Sequence, residues 1–251
     1  LTIPSNGNYT LTVSVVIAGD QNPINNSVQF NFEADIDGVP ELICKNTTIW
    51  LDGAGNASIT PPDVTDNLGF AGYAQQGTTY DPVSITGTTV NLGDDTGTAA
   101  LPIGFDFDFF GSDYSQFYIA SNGFISFTGN GMTGANSYVP TSMPNADAPN
   151  GMIALVWDDL SPNISGTISY ETLGTAPNRK LIVNYDAVPL YNNAAIVTTQ
   201  LQLYEGTSTI EIHTTNAQNN GGNRTQGIEN AAGDSAFVTI GRNLTSWVAS
   251  N

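Results

Sequence analysis

Basic residues are scarce in this chain. Its 251 residues include five lysines and arginines against 23 aspartates and glutamates, which gives a formal net charge of −18. Nucleic-acid binding requires a basic patch that neutralises phosphates, so this composition excludes a nucleic-acid partner. Anionic membrane surfaces are disfavoured for the same reason, whereas cations, and calcium above all, are the natural ligands of such a field.

Cysteines and long apolar runs are also rare. Cys44 is the only cysteine, which excludes an internal disulfide. No apolar run approaches the roughly 20 residues that span a bilayer, so we expect no membrane span. The chain starts at Leu1 without a signal peptide, and we expect it to be a piece of a longer exported protein.

The residues that catalysis needs are missing or isolated. His213 is the only histidine. Alternation places Ile210 and Ile212 on the inner face of a strand, so we expect Glu211 and His213 to point to solvent. The chain has no G-x-S-x-G nucleophile elbow, and nothing in the sequence places two carboxylates across a cleft. The sequence therefore predicts a protein that is not an enzyme.

The most informative stretch is LPIGFDFDFFGSDYSQFYIASNGFISF, residues Leu101–Phe127. Its first strand places Phe105, Phe107 and Phe109 on one face and Asp106 and Asp108 on the other. Two further strands follow, the last after Asn122-Gly123, a dipeptide typical of type I′ turns. One sheet cannot bury this aromatic face alone, so the pattern predicts a second sheet that covers it.

Short strands with turn signals continue to the end of the chain. Met152–Trp157 is a continuous apolar run, which indicates a central strand buried on both faces. The pattern predicts an all-β fold, an antiparallel β-sandwich of jelly-roll-like or immunoglobulin-like type, over residues 73–251.

Residues 1–72 have a different character. Tyr9–Ile17 alternates cleanly, and Val28, Phe30 and Phe32 form a returning strand. This hairpin resembles the last two strands of a bacterial immunoglobulin-like or cell-adhesion-related module, which implies that residues 1–39 are the end of such a domain. Residues 40–72, with LICKNTTIWLDGAGNAS, resemble the start of a hyalin-repeat-like segment and are expected to form a short hairpin or linker.

The main domain also resembles a known class. The blocks "LPIGFDFDFFGSDYSQFYIASNGFISF", "IALVWDDLSP", "QLYEGTSTIEIH" and "TQGIENAAG" resemble a β-sandwich module recurrent in large secreted or surface proteins of Bacteroidetes, and distantly the nidogen and plexin-type extracellular domains. The resemblance implies an extracellular, cell-surface adhesin module that acts as a rigid spacer or interaction domain. Its implied partners are neighbouring domains of the same chain, glycans or other surface proteins.

Acidic pairs in loops and at strand ends are candidate calcium ligands. Calcium takes six to eight oxygens, which clustered aspartates can supply. Aspartates of this kind also cap turns without binding metal, and that alternative stays open. The candidate ligands are Asp94, Asp95, Asp158 and Asp159 within the main domain and Asp35 and Asp37 before it.

Two further kinds of site are possible. Tyr138, Tyr191 and Trp157 are candidates to stack on sugar rings, which would make the domain a carbohydrate-binding, lectin-like module, accessory to a secreted enzyme. Trp157 also ends an apolar strand, which favours a core position for its ring. Ser235, within Asp234-Ser235-Ala236, is similar to the O-glycosylation signal of Bacteroidetes.

Overall fold

The computed structural model describes residues 7–14, 27–34 and 73–251, and the chain divides into two units, Leu1–Gly72 and Tyr73–Asn251. In the first unit, β1 (Gly7–Ser14) pairs antiparallel with β2 (Ser27–Ala34), with Tyr9 opposite Phe32. This confirms the predicted hairpin. The predicted segment 40–72 and the candidate ligands Asp35 and Asp37 lie outside the described residues.

The second unit is built almost entirely of strands. In chain order they are β3 (Thr88–Val90), β4 (Leu101–Phe109), β5 (Ser112–Ile119), β6 (Phe124–Ser126), β7 (Met152–Trp157), β8 (Thr167–Leu173), β9 (Lys180–Pro189), β10 (Ile196–Tyr204), β11 (Ile210–Ala217), β12 (Thr225–Glu229), β13 (Ala236–Val238) and β14 (Ala249–Ser250). A single helical turn, α1 (Ala135–Tyr138), lies in the loop between β6 and β7. None of the helical residues described forms a helix long and apolar enough to cross a membrane.

The strands form two antiparallel sheets that pack against each other. The first sheet has the order β14-β11-β10-β9-β8-β3, and the second has the order β13-β12-β7-β6-β5-β4. Three neighbours in the second sheet, β4, β5 and β6, are the meander predicted from the phenylalanine pattern. The predicted antiparallel β-sandwich is confirmed.

The aromatic face of the meander is sealed by the first sheet. Phe107, Phe109 and Phe117 are at most 1% exposed. They share one core cluster with side chains of the opposite sheet, among them Leu181, Val183, Tyr185, Leu201 and Leu203. Burying a phenylalanine side chain contributes about 1.5–3 kcal/mol, so this layer is a principal source of the domain's stability.

Strand β7 is buried on both faces, as its unbroken apolar run predicts. All six of its residues are buried. Ile153 and Leu155 belong to the core between the sheets, whereas Met152 and Trp157 belong to a second cluster on the opposite face of the strand. The loop 129–150 covers that second cluster with two of its own methionines, Met132 and Met143. The loop is therefore part of the folded body.

The turn before β6 differs from the predicted type I′ turn. A type I′ turn needs a positive φ at both central residues, and of Asn122 and Gly123 only Gly123 has one, of 79°. A Cβ at Gly123 would lie 2.0 Å from the carbonyl oxygen of Val156, so the close approach of two main chains requires glycine here. Asn122 is fully buried, and its side chain is used for hydrogen bonds rather than for turn geometry.

The prediction that His213 is exposed is wrong, because an unforeseen segment covers it. Residues 78–86, here called the strap, cross the outer face of the first sheet and bond to it through side chains. Ile212 does pack toward the core and His213 does lie on the outer face, but the strap leaves the histidine only 2% exposed. The alternation therefore gives the correct face for both residues, and the strap covers the part of the outer face where His213 lies.

Candidate functional site

Three aspartates meet at one end of the sandwich. Ligand oxygens of Asp94, Asp95 and Asp159 all lie within 4.8 Å of one another, and each residue is half-buried. Asp94 and Asp95 lie in the turn between β3 and β4, and Asp159 is the second residue after the end of β7. The fold therefore brings one of the acidic pairs that the sequence singles out, Asp94 and Asp95, together with one member of another, Asp159.

The buried amide of Asn122 ties these two loops together. Its Nδ2 donates to Asp95 Oδ1 at 3.0 Å, and its Oδ1 accepts from the N–H of Leu160 at 2.8 Å. Ser161 adds a second link, because its hydroxyl donates to Asp94 Oδ1 at 2.9 Å. The hydrogen bonds from Asn122 and Ser161 thus hold the carboxylates of Asp94 and Asp95 close to the segment that carries Asp159.

The carboxylates of this cluster repel one another. Burial, and then the charges of Asp95, Asp94 and Asp158, raises the pKa of Asp159 to about 6. A divalent cation would relieve this repulsion and favour the ionised form. Calcium is the best chemical match, because it prefers several carboxylate oxygens and accepts irregular loop geometry. The Asn163 side-chain oxygen, 2.8 Å from the Ser161 hydroxyl, is a further oxygen nearby.

Asp158 is separated from these three carboxylates. Its Oδ2 lies 2.6 Å from Nη2 of Arg224, and its Oδ1 accepts from the N–H of Asp159 at 2.8 Å. Only 7% of Asp158 is exposed. The charge of Asp158 is therefore already compensated by an arginine. Its role is structural, and it does not join the other three candidate calcium ligands.

Arg224 is a fully buried cation that sequence reasoning missed. It is 0% exposed, and its guanidinium carbon lies 5.5 Å from the centre of the Trp247 ring. Burial lowers its pKa, while the charge of Asp158 opposes that shift. The one available signal was its rarity, since Arg224 is one of only five basic residues in the chain. The pair joins the end of β7 to the segment that precedes β12.

The candidate sugar-stacking residues have different environments. Tyr138 and Tyr191 are 36% and 47% exposed, whereas Trp157 is 1% exposed and donates its indole N–H to the carbonyl of Ser137 at 2.7 Å. The ring of Trp157 is a core element and is not available to stack on a sugar. Tyr191 lies beside the acidic cluster, because its main-chain N–H donates to the carbonyl of Asp159 at 2.8 Å.

The hairpin that carries Ser235 connects β12 to β13. Asn230 organises the hairpin by accepting from the N–H of Asp234 at 3.1 Å and donating to its carboxylate at 2.7 Å. Ser235 itself is half-buried.

A second carboxyl with an altered pKa supports the long loop. Glu229, at the end of β12, is 1% exposed and accepts from the N–H of Asn145 at 2.5 Å. Burial raises the pKa of Glu229 to about 7, and the bond from Asn145 opposes that rise. Its contact is with the main chain of the loop 129–150, so its role is to hold that loop against the sheet.

Comparison with known protein families identifies this domain. Residues 70–251 match the family model described as NIDO related. The chain belongs to the NIDO-related family. Curated proteins and solved structures give no match.

Membership of the NIDO-related family fits the architecture. The match spans the second unit of the chain, including both sheets, the acidic cluster and the buried ion pair. Together the NIDO-related assignment and the fold describe an extracellular β-sandwich module, of a kind that is typically not catalytic. This agrees with the distant resemblance to nidogen-type domains noted from the "SNGFISF" and "WDD" blocks.

Proposed function

We propose that the NIDO-related domain is a non-catalytic structural or adhesion module of a large bacterial surface protein, serving as a rigid spacer or interaction domain. The observation that carries the proposal is the continuous core between the two six-stranded sheets. A spacer must resist deformation, and a close-packed core shared by two layers meets that requirement.

The long loop supports the same role. Thr225 donates its hydroxyl to the carbonyl of Thr141 at 2.7 Å, and Asn243 accepts from the N–H of Met143 at 2.8 Å. With the contacts from Glu229 and Trp157, these bonds fasten the loop 129–150 at several points along its length. A loop held in this way presents a fixed surface to a partner, which suits adhesion better than it suits a mobile active-site lid.

We further propose that Asp94, Asp95 and Asp159 hold one calcium ion, which cross-links the β3–β4 turn to the end of β7. Affinity in the range of about 10⁻⁴–10⁻³ M, typical of extracellular modules, would keep such a site occupied outside the cell. A calcium ion here would stiffen one end of the domain without taking part in any reaction.

Calcium titration of the full chain tests this proposal. At 10 mM calcium and pH 8 we expect the free energy of unfolding to rise by about 1.4–2.7 kcal/mol, as linkage requires for that affinity range. Asp159→Asn should weaken calcium binding at least tenfold, whereas the exposed Asp186→Asn should leave it unchanged. The wild-type chain is first freed of metal with a chelator, and the chelator is then removed. A calorimetric titration of that sample that detects no calcium binding would contradict the proposal.

The pH dependence of calcium binding has a definite sign. The carboxyl pKa of Asp159 is raised from 3.8 to about 6, so the calcium-free folded state loses stability as pH rises through that window. Calcium offsets that loss only when the carboxylate is ionised. The stabilisation by calcium should therefore be larger at pH 8 than at pH 5.

Carbohydrate binding is a second candidate function, and the place of Tyr191 favours it. The ring of Tyr191 is half-exposed, and the main chain of the same residue bonds to Asp159. A sugar could therefore contact both an aromatic face and the loop proposed to hold calcium. We expect glycan binding by the calcium-loaded chain to be lost in Tyr191→Ala and kept in Tyr138→Ala. A glycan array without a saturable ligand would leave the spacer role as the better account.

A further inference from the structure

The strap lies across the first sheet as an added layer. At one end the Tyr80 hydroxyl lies 2.5 Å from the Thr215 hydroxyl on β11, and at the other the N–H of Thr86 donates to Glu171 on β8 at 2.9 Å. Within the strap only Val83 and Ile85 are half-buried, and the other residues are exposed. The strap is not part of a strand and has no ladder of main-chain hydrogen bonds to the sheet. Side chains of the sheet hold it in place instead.

Two glutamines of β10 bind the main chain of the strap. The Gln200 side chain accepts from the N–H of Val83 and donates to its carbonyl, both at 2.8 Å. Gln202 donates to the carbonyl of Asp81 at 3.0 Å. The side chains of β10 thus act in place of a neighbouring strand, and they recognise backbone groups rather than particular side chains.

His213 completes this recognition from β11. Its Nδ1 accepts from the N–H of Asp81 at 3.4 Å, and its Nε2 lies 3.1 Å from Glu211 Oε2. Both main-chain groups of Asp81 and of Val83 are therefore engaged. Alternate residues of an extended chain point the same way, so this face is matched to an extended peptide with a spacing of two residues.

The groove side chains are ordered by the sheet as well as by the strap. With the strap in place Gln200, Gln202 and His213 are each at most 5% exposed. Each also bonds within the sheet, Gln200 to Asn184 at 2.7 Å, Gln202 to Lys180 at 2.9 Å and His213 to Glu211 at 3.1 Å. The strap contributes two half-buried apolar residues and is otherwise exposed. The face is therefore held ready for an extended chain, and most of what it recognises is main chain.

We propose that the outer face of the first sheet is a binding groove for an extended peptide, occupied within one chain by its own strap and between chains by the strap of a second copy. A second copy offers the same backbone and the same Tyr80 and Thr86 contacts, so no new chemistry is needed. The strap of the same chain competes at an effective concentration on the order of millimolar, so exchange between copies requires that strap to be released.

Two complementary variants separate groove from occupant. Val83→Pro removes the N–H that donates to Gln200, which leaves an open groove beside a strap that cannot bind. Gln200→Ala removes the groove contact and frees an intact strap. Each variant alone should remain monomeric by light scattering, whereas an equimolar mixture should form a one-to-one complex. Because each copy carries a charge of −18, the complex should be favoured by salt, which screens the repulsion.

A labelled peptide of residues 76–88 provides the direct measurement. We expect it to bind full-chain Val83→Pro at least tenfold more tightly than the wild type, and to lose that gain in the double variant Val83→Pro, Gln200→Ala. Asp81→Pro serves as a second strap variant, and near-ultraviolet circular dichroism confirms folding. Folded strap variants that bind the peptide no better than the wild type, or a mixture that stays monomeric, would overturn the proposal.

Discussion

Asp158→Ala is expected to lower the free energy of unfolding by about 3–5 kcal/mol, because it leaves the buried cation of Arg224 without its counter-ion. The two side chains are 9% and 0% exposed and 2.6 Å apart, so water cannot replace the lost carboxylate. Chemical denaturation in chelator, with one cooperative transition followed by fluorescence, measures the change.

The neighbouring aspartate is a matched control. Asp159→Ala removes the same group one residue along the chain, but its carboxyl is repelled by Asp95, Asp94 and Asp158 rather than paired with a cation. Without calcium we expect Asp159→Ala to leave stability unchanged or to raise it. Replacing both members of the ion pair, Asp158→Leu with Arg224→Met, should recover most of the lost stability. Equal losses in Asp158→Ala and Asp159→Ala would contradict the assignment of their roles.

Phe109→Ala should destabilise the domain by about 3–5 kcal/mol, the usual cost of truncating a buried phenylalanine. Its ring is 1% exposed and packs 4.6 Å, centre to centre, from the ring of Phe127. The exposed Ile240→Ala is the control, since Ile240 is 92% exposed and its truncation should change stability by less than about 0.5 kcal/mol. A small loss in Phe109→Ala would mean that the aromatic layer is not sealed.

The strands could be predicted because each carries its own pattern. The alternation of phenylalanine and aspartate in β4, and the unbroken apolar run of β7, report local environments that a strand repeats every two residues. A large aromatic face must be covered, so the second sheet followed from the first. The strands could therefore be predicted without knowing which distant residues are in contact.

The site was only partly predictable, because its chemistry depends on distant contacts. Asp158 and Asp159 are adjacent and chemically identical in the sequence, yet one meets Arg224 and the other meets the β3–β4 turn. Nothing local distinguishes them. The burial of His213 has a similar origin, since the strap that covers it is joined to the sheet by side chains that lie far away in the chain.

Native-state hydrogen exchange on wild-type and Phe109→Ala chains tests most directly whether the two sheets form one rigid body. Peptides covering β7 and β10, which lie in opposite sheets, should open with the same free energy in the wild type. Phe109→Ala should lower both by the same amount, although Phe109 belongs to the second sheet alone. Loss of protection in β7 with β10 unchanged would show that the sheets open independently, and would contradict the account of this domain as a single rigid module.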